Sequence, residues 1–359
     1  MRRAGERIAR RRRPGAMKLV MTLLARDEAD VVRANLDFHL GAGVDFVIAT
    51  DNRSQDGTTG ILEAYERKGQ LQLIREDAEY LQQADWVTRM ARLAATEHGA
   101  DWVIHSDADE FWWPRGESLK DVLASIPARY GVVRALLRHF VPRPDGDGFF
   151  AERMTVRTST AAPINDPRSL YRPNLKVIHR ADPSVTVSIG TQRLVDSPLV
   201  PLRGWYPIEF FHFPVRSVEQ CARKYSYQQI APGQAPSPYY ERVRALLGEG
   251  KVQELYDELV VDDDALERGL ADGTLVLDAR LRNALRALRE GAALIFPRPS
   301  VVDEAAYAVD VAALGEADVV RLQRRLDTLE QRMLTLEQQP GLRAYRSLRR
   351  AGRRLLRRS

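Results

Sequence analysis

Between Met17 and Asp109 the chain repeats one pattern: a short apolar run, a polar turn, then a stretch whose apolar residues recur at helical spacing. Lys18-Leu19-Val20-Met21-Thr22-Leu23-Leu24 is the first run and ends in Arg26-Asp27-Glu28. Val31, Val32, Leu36 and Leu40 then follow helical spacing until Gly41-Ala42-Gly43 stops them. Phe46-Val47-Ile48-Ala49, Leu71-Gln72-Leu73-Ile74 and Trp102-Val103-Ile104-His105 repeat the strand signal. Predicted helices lie between them, one capped by Thr58 or Thr59 and running to Lys68, another from about Asp85 to His98. Strands alternating with helices at these lengths predict an α/β fold: a doubly wound, mostly parallel sheet with helices on both faces. Ligands of such sheets bind beyond the carboxyl ends of the strands.

The rest of the chain divides by composition. Residues 142–204 are rich in Pro, Gly and Arg, and helical spacing returns at Ser217–Ile230, 239–259 and 278–290. We therefore expect a first half of the fold over 17–141 and a second half with a helical extension over 142–300. Val319, Leu322, Leu326, Leu329, Met333 and Leu336 form a short heptad seam within a helix over 301–340, suited to a coiled coil that pairs two chains or folds back. An Arg-rich arm (1–16), which reads either as a disordered segment or as the product of an early start codon, and a basic tail (341–359) flank these segments.

Charge sharpens this division. The arm holds seven Arg against Glu6 and the tail eight Arg and no acid, so removing their +6 and +8 from the overall +5 leaves the body at −9. An acidic body excludes the broad basic face of a sequence-specific nucleic-acid reader. The tail, with its interleaved leucines, suits peripheral contact with an anionic membrane. With no apolar run of spanning length, no signal-peptide core and a single cysteine, Cys221, the chain is expected in the cytoplasm, at most peripheral to the inner face of the cell membrane.

The strongest chemical signal is Asp107-Ala108-Asp109-Glu110-Phe111, directly after the fourth strand run. Carboxylates at the end of a buried strand are costly unless solvated or bound to a cation, which marks a hard-metal site, Mg²⁺ or Mn²⁺. A second cluster, Glu209-Phe210-Phe211-His212-Phe213-Pro214-Val215-Arg216-Ser217, offers a histidine among aromatics. Arg216, Gln220 and Lys224 follow at intervals of four, on one face of a helix beginning near Ser217. They form either a clamp for a diphosphate or a solvated face.

The run from Leu23 to Pro114 resembles the nucleotide-binding half of glycosyltransferase family 2, of the GT-A superfamily. The shared strings are Ala25-Arg26-Asp27-Glu28, Asp51-Asn52-Arg53-Ser54-Gln55-Asp56-Gly57-Thr58 and Asp107-Ala108-Asp109. Ala84-Asp85-Trp86-Val87-Thr88-Arg89 and Asp107 to Pro114 are similar to a bacterial branch of that superfamily. The resemblance implies a hexosyltransferase that uses a nucleotide-diphosphate sugar as donor and a glycan, lipid or protein as acceptor. It implies base and ribose contacts at Ala25, Arg26, Glu28, Asp51 and Asn52, and metal contacts at Asp107, Asp109 and His212, with Asp107 also touching the ribose. Asn52 stands where a second Asp is usual. Inverting transfer needs a general base, for which Glu110, Asp166 and Glu209 are the unranked candidates. Trp112, Trp113, Trp205 and Tyr206 read as sugar-stacking or core aromatics. The rival readings are a nucleotidyltransferase, which normally carries a Gly- and Lys-rich loop that is missing after Leu24, and a non-catalytic interaction protein built on a decayed transferase domain.

Overall fold

Each apolar run of the first hundred residues becomes a strand whose sheet neighbours lie parallel to it. The computed structural model describes residues 17–79, 82–144, 148–159, 169–171, 174–226, 238–301 and 303–315, with 326 and 329. These fall into two units divided after Tyr307, and the sheets, the helices that flank them and the cleft all belong to the first. The strands are β1 (Leu19–Ala25), β2 (Phe46–Asp51), β3 (Leu71–Arg75), β4 (Trp102–Asp107), β5 (Glu110–Pro114), β6 (Val132–His139), β7 (Val156–Thr158), β8 (Leu175–Arg180), β9 (Ile208–His212) and β10 (Leu275–Leu277). Helices α1 (Val32–Gly41), α2 (Thr58–Arg67), α3 (Gln83–Thr96) and a shorter one, Leu119–Ala124, support the first half.

Eight strands form one sheet in the order β3-β2-β1-β4-β8-β6-β9-β5, and β7 pairs with β10 in a small second sheet. The first four are parallel, whereas β8 runs antiparallel to both β4 and β6, and β5 antiparallel to β9. The doubly wound α/β expectation holds, with a mixed second half: only β8 and β5 oppose the common direction.

Alternation along β1 explains the two layers. Leu19, Met21 and Leu23 share a cluster with Val32 and Leu36 of α1 and Leu62 and Tyr65 of α2. Val20 turns to the other face and packs with Ile48, Val103 and the α3 residues Val87, Met90, Ala91 and Ala94. Both faces being covered, these strands read as unbroken apolar runs. Each fully buried aliphatic side chain contributes about 1.5–3 kcal/mol, which holds the strand ends, and whatever they carry, in fixed positions.

α2 starts differently from expectation. Its cap is Gly57, at φ 100°, and no side chain caps it. Thr58 instead joins the two loops at the sheet's edge, accepting from Glu28 N at 2.8 Å and donating to Asp56 at 2.6 Å. The seam 319–336, the tail 341–359, the arm 1–16 and Asp166 lie outside the described residues, apart from Leu326 and Leu329. Among the described residues no helix is long and apolar enough to cross a membrane.

Candidate active site

β1, β2 and β4 end side by side, with Ala25 opposite Asp51 and Leu24 opposite Asp107. Their three loops form one wall of a cleft of about 450 Å³. The β1 loop is laced to the β2 loop: Asp27 N donates to Ser54 Oγ (3.0 Å), Gln55 N donates back to Asp27 (2.6 Å), and Asp27 sits at φ 52°. Asp tolerates this left-handed conformation better than most residues, which suits it to the crossing point. Asn52 is buried and fully used, accepting from Arg26 at 3.0 Å and donating to the carbonyls of Glu76 (3.2 Å) and Ala78 (3.0 Å). Asp51 is turned under its own loop onto Ser54 and Thr59 and does not line the cleft, whereas Ala25, Arg26, Glu28 and Asn52 do.

The acidic turn after β4 is held from below by α1. Asn35, wholly buried, donates to the carbonyls of Glu110 (2.6 Å) and Ala108 (3.1 Å). One helical turn on, His39 accepts from Trp112 N at 3.1 Å through Nε2, so its Nδ1 carries the proton donated to Asn35 O at 2.8 Å. Burial pushes the His39 pKa down to about 4, and the ring remains a neutral acceptor. The polar residues Asn35 and His39 of α1 thus face inward and fix the geometry of the turn.

The cleft's opposite wall comes from strands that the sequence did not announce. On β9, His212 and Phe210 face the cleft while Glu209 and Phe211 face away, as period-two alternation requires. His212 lies directly across from Glu110 of β5. Its Nδ1 is 3.2 Å from His139 Nδ1, and its Nε2 is 3.6 Å from Asp109 Oδ2. Phe213 N donates to Asp109 O at 2.9 Å and pins the strand to the turn. Asp109, Glu110 and His212 each offer a ligand atom, and these atoms lie within 4.8 Å of one another. Two carboxylates and an imidazole are a donor set that fits a hard divalent cation. Glu110, not Asp107, is the second acid of this group.

Two lysines complete the site. Lys176 of β8, buried, donates to Asp107 at 2.8 Å and to Glu110; it was not singled out in the sequence, where it lies inside the Pro-, Gly- and Arg-rich stretch 142–204. Lys224, on the helix Val218–Ser226, donates to Asp109 Oδ2 at 2.6 Å and to Pro214 O at 3.1 Å. Burial alone would raise the Asp109 pKa, but Lys224, His212 and Arg216 outweigh it and hold the carboxyl well below the usual range. Burial raises Glu110 to about 8 despite Lys176, and lowers His212 despite Asp109. Asp109 is 2% exposed and Glu110 is buried beside it, so these two acids belong to a buried charge network, whereas the Asp107 side chain stays 33% exposed at the strand end.

Arg216 departs from the helical-face reading. The helix begins at Val218, so Arg216 precedes it and turns inward, 1% exposed, with its backbone N–H donating to Gln220 at 3.0 Å. Its guanidinium pairs with Glu28 and with Asp30 (2.7 Å) and lies 3.8 Å from Asp109. It ties the β1 loop to the acidic turn and does not line the cleft. Of the two base candidates among the described residues, Glu110 lines the cleft and Glu209 does not. Glu209 sits on the sheet's other face, where Arg138 (2.6 Å) and Arg280 (2.7 Å) overcome the effect of burial and keep it ionised. Trp112 stacks on Phe210 and Trp113 on Phe211, both buried as core. Cys221 is buried, and its thiol is pushed up to about 11, too high for a nucleophile at neutral pH.

No protein-family model matches the chain, and no curated protein matches it. Solved structures resemble it distantly. TarS of S. aureus, residues 1–349 with UDP-GlcNAc, is 13% identical over 86% of this chain and 92% of that one, with a TM-score of 0.35. The mannosyltransferase PcManGT from Pyrobaculum calidifontis, with GDP-Man and Mn²⁺, is 16% identical over 85% and 87%, with a TM-score of 0.32. Against a longer TarS chain the present one spans 42% of the length.

Proposed function

We propose that the protein is a glycosyltransferase that moves a sugar from a nucleoside diphosphate to a hydroxyl of a glycan, lipid or protein, with inversion and with Mg²⁺ or Mn²⁺. The observation that carries this reading is the convergence of Asp109, Glu110 and His212 in the cleft lined by Arg26, Glu28 and Asn52. The β1 and β2 loops hold base and ribose, which places the diphosphate over the acidic turn. When bound, the cation neutralises charge developing on the leaving diphosphate. Lys224 and Lys176 add positive charge beside that position, where charge develops on the leaving group. Asn35 and His39 hold the turn so that its carboxylates need not reorganise. The inverting outcome is taken from the family resemblance, with Glu110 the described base candidate that lines the cleft.

Hydrolysis of a panel of UDP- and GDP-sugars by the purified full chain tests the reading. Slow release of nucleoside diphosphate from at least one donor is expected with Mn²⁺, and none in excess chelator. Turnover unchanged by chelator refutes the cation requirement, and no binding of any nucleotide sugar refutes the transferase.

A further inference from the structure

The oxygen of Asp109 that faces His212 is already taken. Lys224 Nζ lies 2.6 Å from Asp109 Oδ2, and His212 Nε2 lies 3.6 Å from the same atom. A cation held between that carboxylate oxygen and that imidazole nitrogen would meet the ammonium at close range. Two positive centres sharing one oxygen in a buried site repel strongly, because little water is present to screen them. Lys224 has only one other hydrogen bond described, to Pro214 O, and its side chain, 20% exposed, lines the cleft. A diphosphate above the acidic turn is a competing anion within reach of the same side chain.

We propose that Lys224 is an internal counter-ion that keeps the metal site closed until a nucleoside diphosphate arrives. In the empty cleft it neutralises Asp109. On nucleotide binding its ammonium transfers to the phosphate oxygens, and Asp109 becomes available to the divalent cation. Cation and nucleotide therefore bind as a coupled pair, and the coupling is reciprocal: each tightens the other by the same factor. This inference rests on the transferase reading above, but it concerns the order in which the site fills, not the reaction.

The test is a Mn²⁺ titration of the full chain followed by electron paramagnetic resonance, without nucleotide and with UDP or GDP in turn. Wild-type protein should bind Mn²⁺ weakly alone and more than about tenfold tighter with the matching nucleotide, within the usual 5- to 150-fold span of such couplings. Direct bridging of metal and phosphate would give that result too, so Lys224→Met decides. Freed of the ammonium, it should bind Mn²⁺ alone about tenfold or more tighter than wild type, respond less to nucleotide, and bind UDP or GDP more weakly in chelator. Lys224→Gln, which keeps a donor for Pro214 O while removing the charge, should behave alike and guards against a folding defect in the first variant. Lys120→Met, at the exposed pair with Asp45, is the control and should match wild type. If neither Lys224 variant binds Mn²⁺ tighter than wild type, the counter-ion role is overturned while the transferase reading stands. If no protein takes up Mn²⁺ under any condition, the cation site is refuted and this inference falls with it; glycosyl transfer is then judged by donor hydrolysis in chelator.

Discussion

Arg216→Met removes the one side chain that joins Glu28, Asp30 and Asp109. Arg216 is 1% exposed and the Glu28 side chain 12%, so the substitution strands a buried carboxylate. Breaking a buried pair in this way costs about 3–5 kcal/mol. The cost should depend on pH. Burial raises Glu28 to about 7 even with Arg216 pulling it down, and loss of the guanidinium raises it further. A carboxyl whose folded pKa lies above its unfolded value stabilises the fold fully below the unfolded value, and that contribution is lost as pH rises through the folded one. The variant's deficit is therefore smaller at pH 6, where Glu28 takes up a proton, than at pH 8, by roughly 1 kcal/mol or more, since a tenfold change in proton affinity is worth about 1.4 kcal/mol. Urea unfolding of both proteins at the two pH values measures it, and Glu28→Gln in the Arg216→Met background should recover much of the loss. A deficit below about 1 kcal/mol, or one equal at both pH values, refutes the argument that this pair is a buried tie between the β1 loop and the acidic turn.

Asp109→Asn should abolish donor hydrolysis and Mn²⁺ uptake and, unlike loss of a solvent-facing acid, also lower stability by about 1–3 kcal/mol because Lys224 loses its partner; a fully active variant refutes its place in the site. His39, wholly buried with a folded pKa of about 4 against 6.5, contributes about 3 kcal/mol that is present above pH 6.5 and lost as pH falls towards 4, so His39→Leu should flatten acid unfolding between those values. A chain truncated after Pro340 should bind anionic liposomes at low salt much less than the full chain; equal binding removes the tail as anchor.

The two halves of the fold differed in how readily the sequence disclosed them, and the reason is physical. β1, β2 and the first half of β4 are packed on both faces, so they are nearly pure apolar runs that lead into the loops they serve. β6, β8 and β9 have work on both faces. Arg138, Lys176, Glu209 and His212 interrupt their apolar pattern because one face lines the cleft and the other holds the Arg138–Glu209–Arg280 cluster. Asp109 was singled out by its strand-end position, and His212 only through the family resemblance, since a histidine flanked by aromatics more often packs in a core. Asn35 and His39 were not: in an amphipathic helix they count as polar-face residues, and nothing local reveals that this face looks inward at a second turn. Arg216, Gln220 and Lys224 matched helical spacing, but spacing cannot tell a residue inside a helix from one just before it, where the chain still turns freely.

The charges of the site bear on how it fills. Glu28, Asp30, Asp107, Asp109 and Glu110 stand with Arg26, Arg216, Lys176 and Lys224 in and beside the cleft, five acids and four cations, and because burial pushes Glu110 up to about 8 the charges nearly balance. Adding a divalent cation alone leaves that buried balance positive, and adding a diphosphate alone leaves it negative; either change is costly where water is scarce. Adding both restores it, since the pair of negative charges on a sugar nucleotide equals the charge of Mg²⁺ or Mn²⁺. The lysines relieve the crowding of three carboxylates at the end of β4: Lys176 serves Asp107 and Glu110, and Lys224 serves Asp109, which Arg216 otherwise reaches at 3.8 Å. If the lysines serve only the empty state, replacing Lys176 with Met should raise the apparent pKa for donor hydrolysis and weaken the fold without changing which nucleotide is bound. If nucleotide preference shifts instead, Lys176 reads the donor directly and the balance of charge does not describe its role.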